Sequence, residues 1–431
     1  MAAAAPLVTC ALLPRLQLTV AAGSRAELLG VPAALAPEPG GQRVGEVSQA
    51  AEAFGIHPGM RLGEALARYP RLTLIPPDPA GVADHWEGSL GALESIGAAV
   101  EPVAPGVACF DARSLLLLHG GSLAAVLAAA RRALGDRVND PDPSQTRPGG
   151  PPLAAMWPPK APLGAPARLG VAPSRFAAIA AARRARARRP LVVDGGERQA
   201  RAFLAPMPVS LLRLRAELAA LPEALERLGV GSLGELAALP LAAVVDRFGG
   251  AGRLAHRLAS GGDEPLRPRQ AGEVVRESLE LPEAADGIQL ERALGLLVDR
   301  LLARRERRGR SLRSVVLAAA LVEQGGTWRQ QVTFREALAD PLRMRLALTP
   351  RLSLVPAPVR VLRLAVERFG PVASEQRGLL DASRDARAAR LREAVSQARA
   401  AAGADAALRI LEIDPGSRLP ERRAVLTPFE G

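Results

Sequence analysis

The sequence predicts an α+β protein of several domains, and three observations carry that expectation. At 431 residues the chain exceeds the roughly 100–200 residues of a single domain. Residues 1–135 and about 270–368 alternate short apolar runs with amphipathic helical stretches, whereas about 208–262 reads as helix alone. Residues 136–167 are rich in Pro and Gly, with Asp140-Pro141-Asp142-Pro143 and Pro158-Pro159, and read as a long loop.

Each element follows from local pattern. The apolar run 6–18 predicts a first strand. Residues 48–54 predict a short helix stopped at Gly55, and 61–69 a second one with Leu62, Ala65 and Leu66 on one face. Residues 72–75 predict a strand closed by Pro76-Pro77, and 122–134 a helix. Residues 168–172 predict a strand and 173–189 a helix. In 225–236 a helix, a Gly-x-Gly hairpin (Gly229, Gly231) and a second helix follow one another, and Phe248-Gly249-Gly250-Ala251-Gly252 forms another glycine-rich turn. Residues 277–281 read as extended, and 289–308 as a long helix with Leu294, Leu297 and Leu301 buried. On that helix Arg300, Arg304 and Arg308 would share the opposite face at i, i+4 and i+8. Strands near 313–322 and 328–335 and a tail helix near 384–402 complete the order.

Composition narrows the classes. A hydrophobic content of 48% supplies packed cores, but only 3% is aromatic, so those cores rest on Leu, Val and Ala. Lys+Arg exceed Asp+Glu by 12, which points to a polyanionic partner. The single lysine, Lys160, shows that an arginine-biased composition also contributes. Cys10 and Cys109 lie in apolar runs and fit reduced, buried thiols of a cytoplasmic protein. The four histidines form no ligand spacing with them, so no metal and no cofactor is expected. The N-terminal apolar run lacks a basic leader and is broken by Pro14 and Arg15, unlike a signal peptide, and no stretch of about 20 apolar residues predicts a membrane span.

The chemistry turns on what is missing. The segment Val103-Ala104-Pro105-Gly106-Val107-Ala108-Cys109-Phe110-Asp111 is similar to the strand on which Y-family (translesion) DNA polymerases carry an Asp-Glu pair and a later Asp. Gly106 and Val107 stand at the pair, and Asp111 at the later Asp. The family's first strand bears a D-x-D-like pattern, yet the matching Thr9–Pro14 region holds no acid, and none precedes Glu27. Two-metal phosphoryl transfer needs carboxylates that hold two Mg²⁺ ions roughly 4 Å apart. Glycine and valine cannot supply them.

Further segments carry the resemblance in the family's order. Residues 48–60, Ser48-Gln49-Ala50-Ala51-Glu52-Ala53-Phe54-Gly55-Ile56-His57-Pro58-Gly59-Met60, are similar to the fingers segment, with Gln49 and Glu52 where active members hold the triphosphate with Tyr and Arg. A carboxylate there repels a triphosphate, or else sits on a solvated face. Gly170-Val171-Ala172-Pro173-Ser174-Arg175 resembles the palm segment, with Arg175 keeping the charge of the family's lysine. The following Arg183, Arg184, Arg186, Arg188 and Arg189 are either a solvated face or a DNA contact. The 225–236 hairpin resembles the thumb's helix-hairpin-helix, in which Gly229, Gly231 and Ser232 would hold a DNA phosphate; a ligand-free helix turn is the competing reading. Residues 274–368 resemble the little finger, and Glu375-Gln376-Arg377-Gly378-Leu379-Leu380-Asp381 a sliding-clamp-binding peptide anchored by Gln376, Leu379 and Leu380.

The resemblance implies a right hand: palm and fingers over 1–205 (fingers about 25–80), a helical thumb over 206–268, a little finger over 270–368 and a C-terminal extension over 369–431. The departures fall on chemical positions, as in the ImuB-type subfamily of inactive polymerase homologues. That resemblance implies no catalytic residue and an adaptor in translesion synthesis and SOS mutagenesis, in the cytoplasm at the nucleoid. Its partners would be DNA, the sliding clamp, an error-prone C-family polymerase and a RecA-like accessory protein. Its DNA-binding residues would include Arg175, Gly229, Gly231, Ser232, Arg300, Arg304 and Arg308. The alternatives are an active Y-family polymerase with a metal site rebuilt from Asp111 and Glu101, and a DNA-binding protein outside replication.

Overall fold

The computed structural model describes residues 6–23, 25–135, 166–270, 275–285, 287–322, 326–356, 358–370, 391, 395, 408–413, 415–416 and 418–428. They fall into two units, Met1–Gly272 and Glu273–Gly431. The clamp-like residues Gln376, Leu379 and Leu380, most of the 384–402 helix and the loop residues 136–165 lie outside the described residues.

In chain order the first unit contains β1 (Val8–Leu12), α1 (Leu16–Ala22), β2 (Ala33–Leu35), α2 (Gln49–Glu52), α3 (Leu62–Arg68), β3 (Thr73–Ile75) and α4 (Pro79–Ser95). Then come β4 (Glu101–Ala104), β5 (Val107–Asp111), α5 (Leu123–Ala133), β6 (Arg168–Ala172), α6 (Arg175–Arg184), β7 (Leu191–Val192), α7 (Glu197–Leu204), α8 (Leu221–Arg227), α9 (Leu233–Ala238) and α10 (Leu241–Ala259). The main sheet runs β4-β5-β1-β6-β7. β1 is its centre and is apolar because both faces are covered. Val8 and Cys10 pack with α6, while Ala11 packs with Phe110, Leu169 and residues of α4 and α5 such as Leu90, Leu93 and Val126. β2 and β3 pair in parallel beside α2 and α3, where Ala65 is buried, with Leu62 and Leu66 against it. The expected caps form: the Ser48 hydroxyl accepts from Ala51 N, and that of Ser122 from Ala125 N.

α6 lies against β6 at Gly170. A Cβ there would stand 2.1 Å from Ala182 N and 2.5 Å from Ala178 O, so only glycine admits this approach. The helix predicted over 173–189 ends at Arg184. Ala185 is extended (ψ 143°) and Arg188 left-handed (φ 63°), which turns the chain into β7. Gly249 (φ 58°) kinks α10, the structural form of the second glycine-rich turn.

The second unit contains β8 (Arg276–Ala285), α11 (Gly287–Ala303), β9 (Leu312–Leu321), β10 (Thr327–Leu338), α12 (Pro341–Leu352), β11 (Val359–Phe369) and a hairpin of β12 (Leu408–Glu412) with β13 (Ala424–Pro428). Its main sheet runs β10-β9-β11-β8, all antiparallel. Both helices cover one face: Leu294, Leu297, Leu301, Met344 and Leu348 share a core with Val315, Leu317, Ala319, Leu362 and Leu364. The helix predicted to reach residue 308 stops at Ala303. Arg304 turns extended (ψ 126°) to ion-pair with Glu277 of β8, and Arg308 is left-handed (φ 51°).

Candidate functional site

Gly106 and Val107 lie at one end of the first sheet. Gly106 forms the β4–β5 turn with φ 85°, its carbonyl accepts from Leu13 N at 2.8 Å, and a Cβ there would stand 3.0 Å from Leu13 O. The register aligns Val107 with Leu12 and Leu12 with Arg168, so these three side chains form a row on one face across β5, β1 and β6. Two residues deeper, Cys10 faces Cys109; both are free thiols and fully buried. The hydrogen bond with Cys10, reinforced by burial, holds the Cys109 thiol well above its ordinary pKa. Thiols in that state pack as small apolar groups.

The nearest acids are engaged elsewhere. Asp111 accepts from Arg113 N at 2.9 Å at the end of β5. Glu101, opposite Cys109 on β4, ion-pairs with Arg175 and accepts from Arg267 N at 2.7 Å. Arg175 also meets Asp263 at 3.5 Å; Asp263 in turn pairs with Arg215 at 2.5 Å and accepts from Phe176 N at 2.9 Å. Burial lowers the Arg175 pKa, but the Asp263 and Glu101 carboxylates outweigh it and leave the pKa raised. This corrects the expectation that Arg175 contacts DNA: its side chain is 8% exposed and neutralised from two sides. No group of three His, Cys, Asp or Glu poised to hold a metal ion occurs among the described residues.

At the fingers-like segment, Gln49 and Glu52 are the first and last residues of α2. Glu52 is not an isolated carboxylate, since Arg15 Nη2 reaches it at 2.6 Å while Arg15 Nε donates to Val47 O at 2.9 Å. Arg15, with φ 52° just before α1, thus ties the end of the first strand to α2. Nothing in the local pattern around Arg15 announces a partner 37 residues away.

The α8–α9 hairpin has the expected backbone, with Gly229 at φ 80°. Its amides, however, are occupied. Gly231 N and Ser232 N donate to Glu235 Oε2 at 2.7 and 3.0 Å, and Glu235 N returns to Ser232 Oγ at 3.2 Å, a reciprocal capping box. The Ser232 and Gly231 amides hold the Glu235 carboxyl below its ordinary pKa. A phosphate at Gly231 and Ser232 would have to displace this carboxylate, while Gly229 N donates to Glu226 O at 3.0 Å.

The arginine stripe of the second unit is also rearranged. Arg300, Arg304 and Arg308 do not share a helix face. Arg300 is exposed in the last turn of α11, Arg304 is bound to Glu277, and Arg308 lies beyond the helix. The helix-free face of the sheet carries other arginines. Register places Arg329, Ala318 and Arg363 in one row, and Gln331, Val316, Ala365 and Arg276 in the next. Ala318 is only 3% exposed, as expected where arginine stems lie over a small residue. The alternation of Arg363 with buried Leu362 and Leu364 was the signal that could have found this face.

Residues 17–140 match the impB/mucB/samB family. Among curated proteins, the chain is 26% identical over 264 residues to DNA polymerase IV of Moorella thermoacetica, covering 59% of this chain and 57% of that one. It is likewise 26% identical over 274 residues to DNA polymerase IV of Dehalococcoides mccartyi, 63% of each. The chain thus spans about three-fifths of the length of these relatives. A solved structure, "Dbh Ternary Complex (substrates partially disordered)", aligns at TM-score 0.46 and 14% identity, over 84% of this chain and 98% of that one. No described helix is long and apolar enough to cross a membrane.

Proposed function

We propose that this chain is a noncatalytic DNA-binding adaptor of translesion synthesis. It would join DNA to the sliding clamp through Gln376, Leu379 and Leu380, and recruit an error-prone C-family polymerase and a RecA-like accessory protein. The observation that carries this reading is the row Val107–Leu12–Arg168, in which no side chain can ligate Mg²⁺ and one is cationic. The Arg15–Glu52 pair supports it, because a carboxylate and its counter-ion stand where a triphosphate clamp would be required.

The relatives named DNA polymerase IV favour the second reading, an active polymerase with a rebuilt metal site. Against it stands the chemistry of the remaining acids: Glu101 is committed to Arg175, and Asp111 caps the chain after β5. Primer extension decides between them. The adaptor incorporates no nucleotide with Mg²⁺ or Mn²⁺; template-dependent extension by pure protein, free of contaminating polymerase, would overturn the proposal.

A further inference from the structure

The end of the first sheet that lacks carboxylates gathers arginines instead. Arg168 opens β6 beside Leu12. The parallel pairing of Gly170 with Leu191 brings the chain just before β7, with Arg188 and Arg189, to the same end as Arg168. Arg183 and Arg184 form the last turn of α6, and Arg168 Nη1 donates to Arg183 O at 3.4 Å. An Arg186–Arg189 bridge closes the turn between helix and strand. Six arginines from one strand, one helix end and the turn before β7 therefore lie at the same end of the sheet as Gly106 and Val107.

Several other arginines of the unit are neutralised by acids. Arg15, Arg175, Arg215, Arg257 and Arg269 each hold a carboxylate within 3.5 Å. Among the described residues, none of the six makes an ion pair, and residues 183–190 contain no Asp or Glu. Desolvation pushes the Arg183 guanidinium below its ordinary pKa, and no carboxylate offsets it. A cluster of like charges without counter-ions destabilises itself unless an anion joins it. Guanidinium groups bind phosphate oxygens in a bidentate fork and need no metal to do so.

We propose that this arginine end of the sheet binds the DNA phosphate backbone directly, with arginine charge in the place where metal ions would otherwise face phosphate. The proposal rests on the DNA-binding reading above and gives it a contact in the first unit; the arginines Arg276, Arg329 and Arg363 on the sheet of the second unit serve as the comparison. Binding here is independent of divalent metal. Its specificity is for phosphate, not bases, since no exposed aromatic side chain accompanies the cluster among the described residues.

The test is fluorescence anisotropy of a labelled single-stranded oligonucleotide, titrated with salt in EDTA and again in Mg²⁺. The wild type is compared with an Arg184→Ala/Arg186→Ala/Arg188→Ala/Arg189→Ala variant and with an Arg276→Ala/Arg329→Ala/Arg363→Ala variant. Wild-type affinity in EDTA should be no weaker than in Mg²⁺, since Mg²⁺ only competes for the phosphates; tighter binding in Mg²⁺ would overturn the metal-independent site. The four-arginine variant should show a log K against log[salt] slope shallower by roughly 0.7 for each phosphate it no longer neutralises. Should that variant lose its circular dichroism signal, Arg186→Gln/Arg188→Gln carries the same comparison. Wild-type slope and affinity in the four-arginine variant, with weakening only in the sheet-face variant, overturn this site and leave DNA binding intact. Absence of salt-dependent binding by the wild type overturns both.

Discussion

Arg175 illustrates how a residue of familiar sequence context acquires a different duty. Its guanidinium lies between Glu101 and Asp263, which come from 74 residues before it and 88 after it in the chain, so only the fold brings them together. Asp263 retains Arg215 and the Phe176 amide, but Glu101 keeps no other side-chain cation among the described residues. Arg175→Met should therefore lower unfolding free energy by about 3 kcal/mol, the cost of leaving a buried charge uncompensated. Urea denaturation measures it. Adding Glu101→Gln should recover part of that loss, and no recovery would mean that the charge is not the cause. The absence of acids at Gly106, Val107 and in the 6–18 run was legible because it is a local fact of the sequence. The burial of Cys10 and Cys109 on adjoining strands was legible from apolar context. The partners of Arg175 and Arg15 were not, because sequence separation carries no record of charge pairing.

At the scale of elements, close packing and capping decide what the helices and turns can do. Gly170→Ala would drive a methyl group into backbone atoms of α6, which cannot swing aside as a side-chain end could. A loss of at least about 2 kcal/mol is expected from such overpacking, read as a lowered melting temperature. The α8–α9 hairpin makes a pH-dependent prediction. The Glu235 carboxyl has its pKa lowered from 4.5 by amide hydrogen bonds, so its stabilising contribution is present at neutral pH. It is lost as pH falls through the folded-state value, below 4.5. The Gly231 and Ser232 amide resonances should shift in that acidic window, and Glu235→Gln should abolish the shift. Resonances that stay fixed in the wild type would argue against the capping box. Helical periodicity located α11 but ran past its end, because the pull of Glu277 on Arg304 is a tertiary contact that a 3.6-residue repeat cannot report. The two-residue repeat of β11 carried the sheet-face arginines, yet mixed apolar content on both faces concealed it.

For the whole molecule, an excess of 12 positive charges and a clamp-like peptide predict two bindings with different physics. DNA binding through arginines releases counter-ions, so affinity should fall steeply with salt: a protein contacting 6–10 phosphates loses roughly 10³–10⁵-fold between 50 and 200 mM. Clamp binding through Gln376, Leu379 and Leu380 would depend on few anchors, two of them apolar, and should change little over the same range. The Gln376→Ala/Leu379→Ala/Leu380→Ala variant should bind the clamp at least about tenfold more weakly, since each anchor of such a peptide contributes about 1 kcal/mol or more. Its DNA affinity should equal that of the wild type. The sheet-face variant should show the reverse pattern, with weakened DNA binding and intact clamp binding. Surface plasmon resonance on immobilised clamp and on immobilised DNA separates the two. An adaptor requires this independence, because it must hold both ligands at once. If the peptide variant lost DNA and clamp together, the two bindings would share one surface, and the adaptor reading would fail.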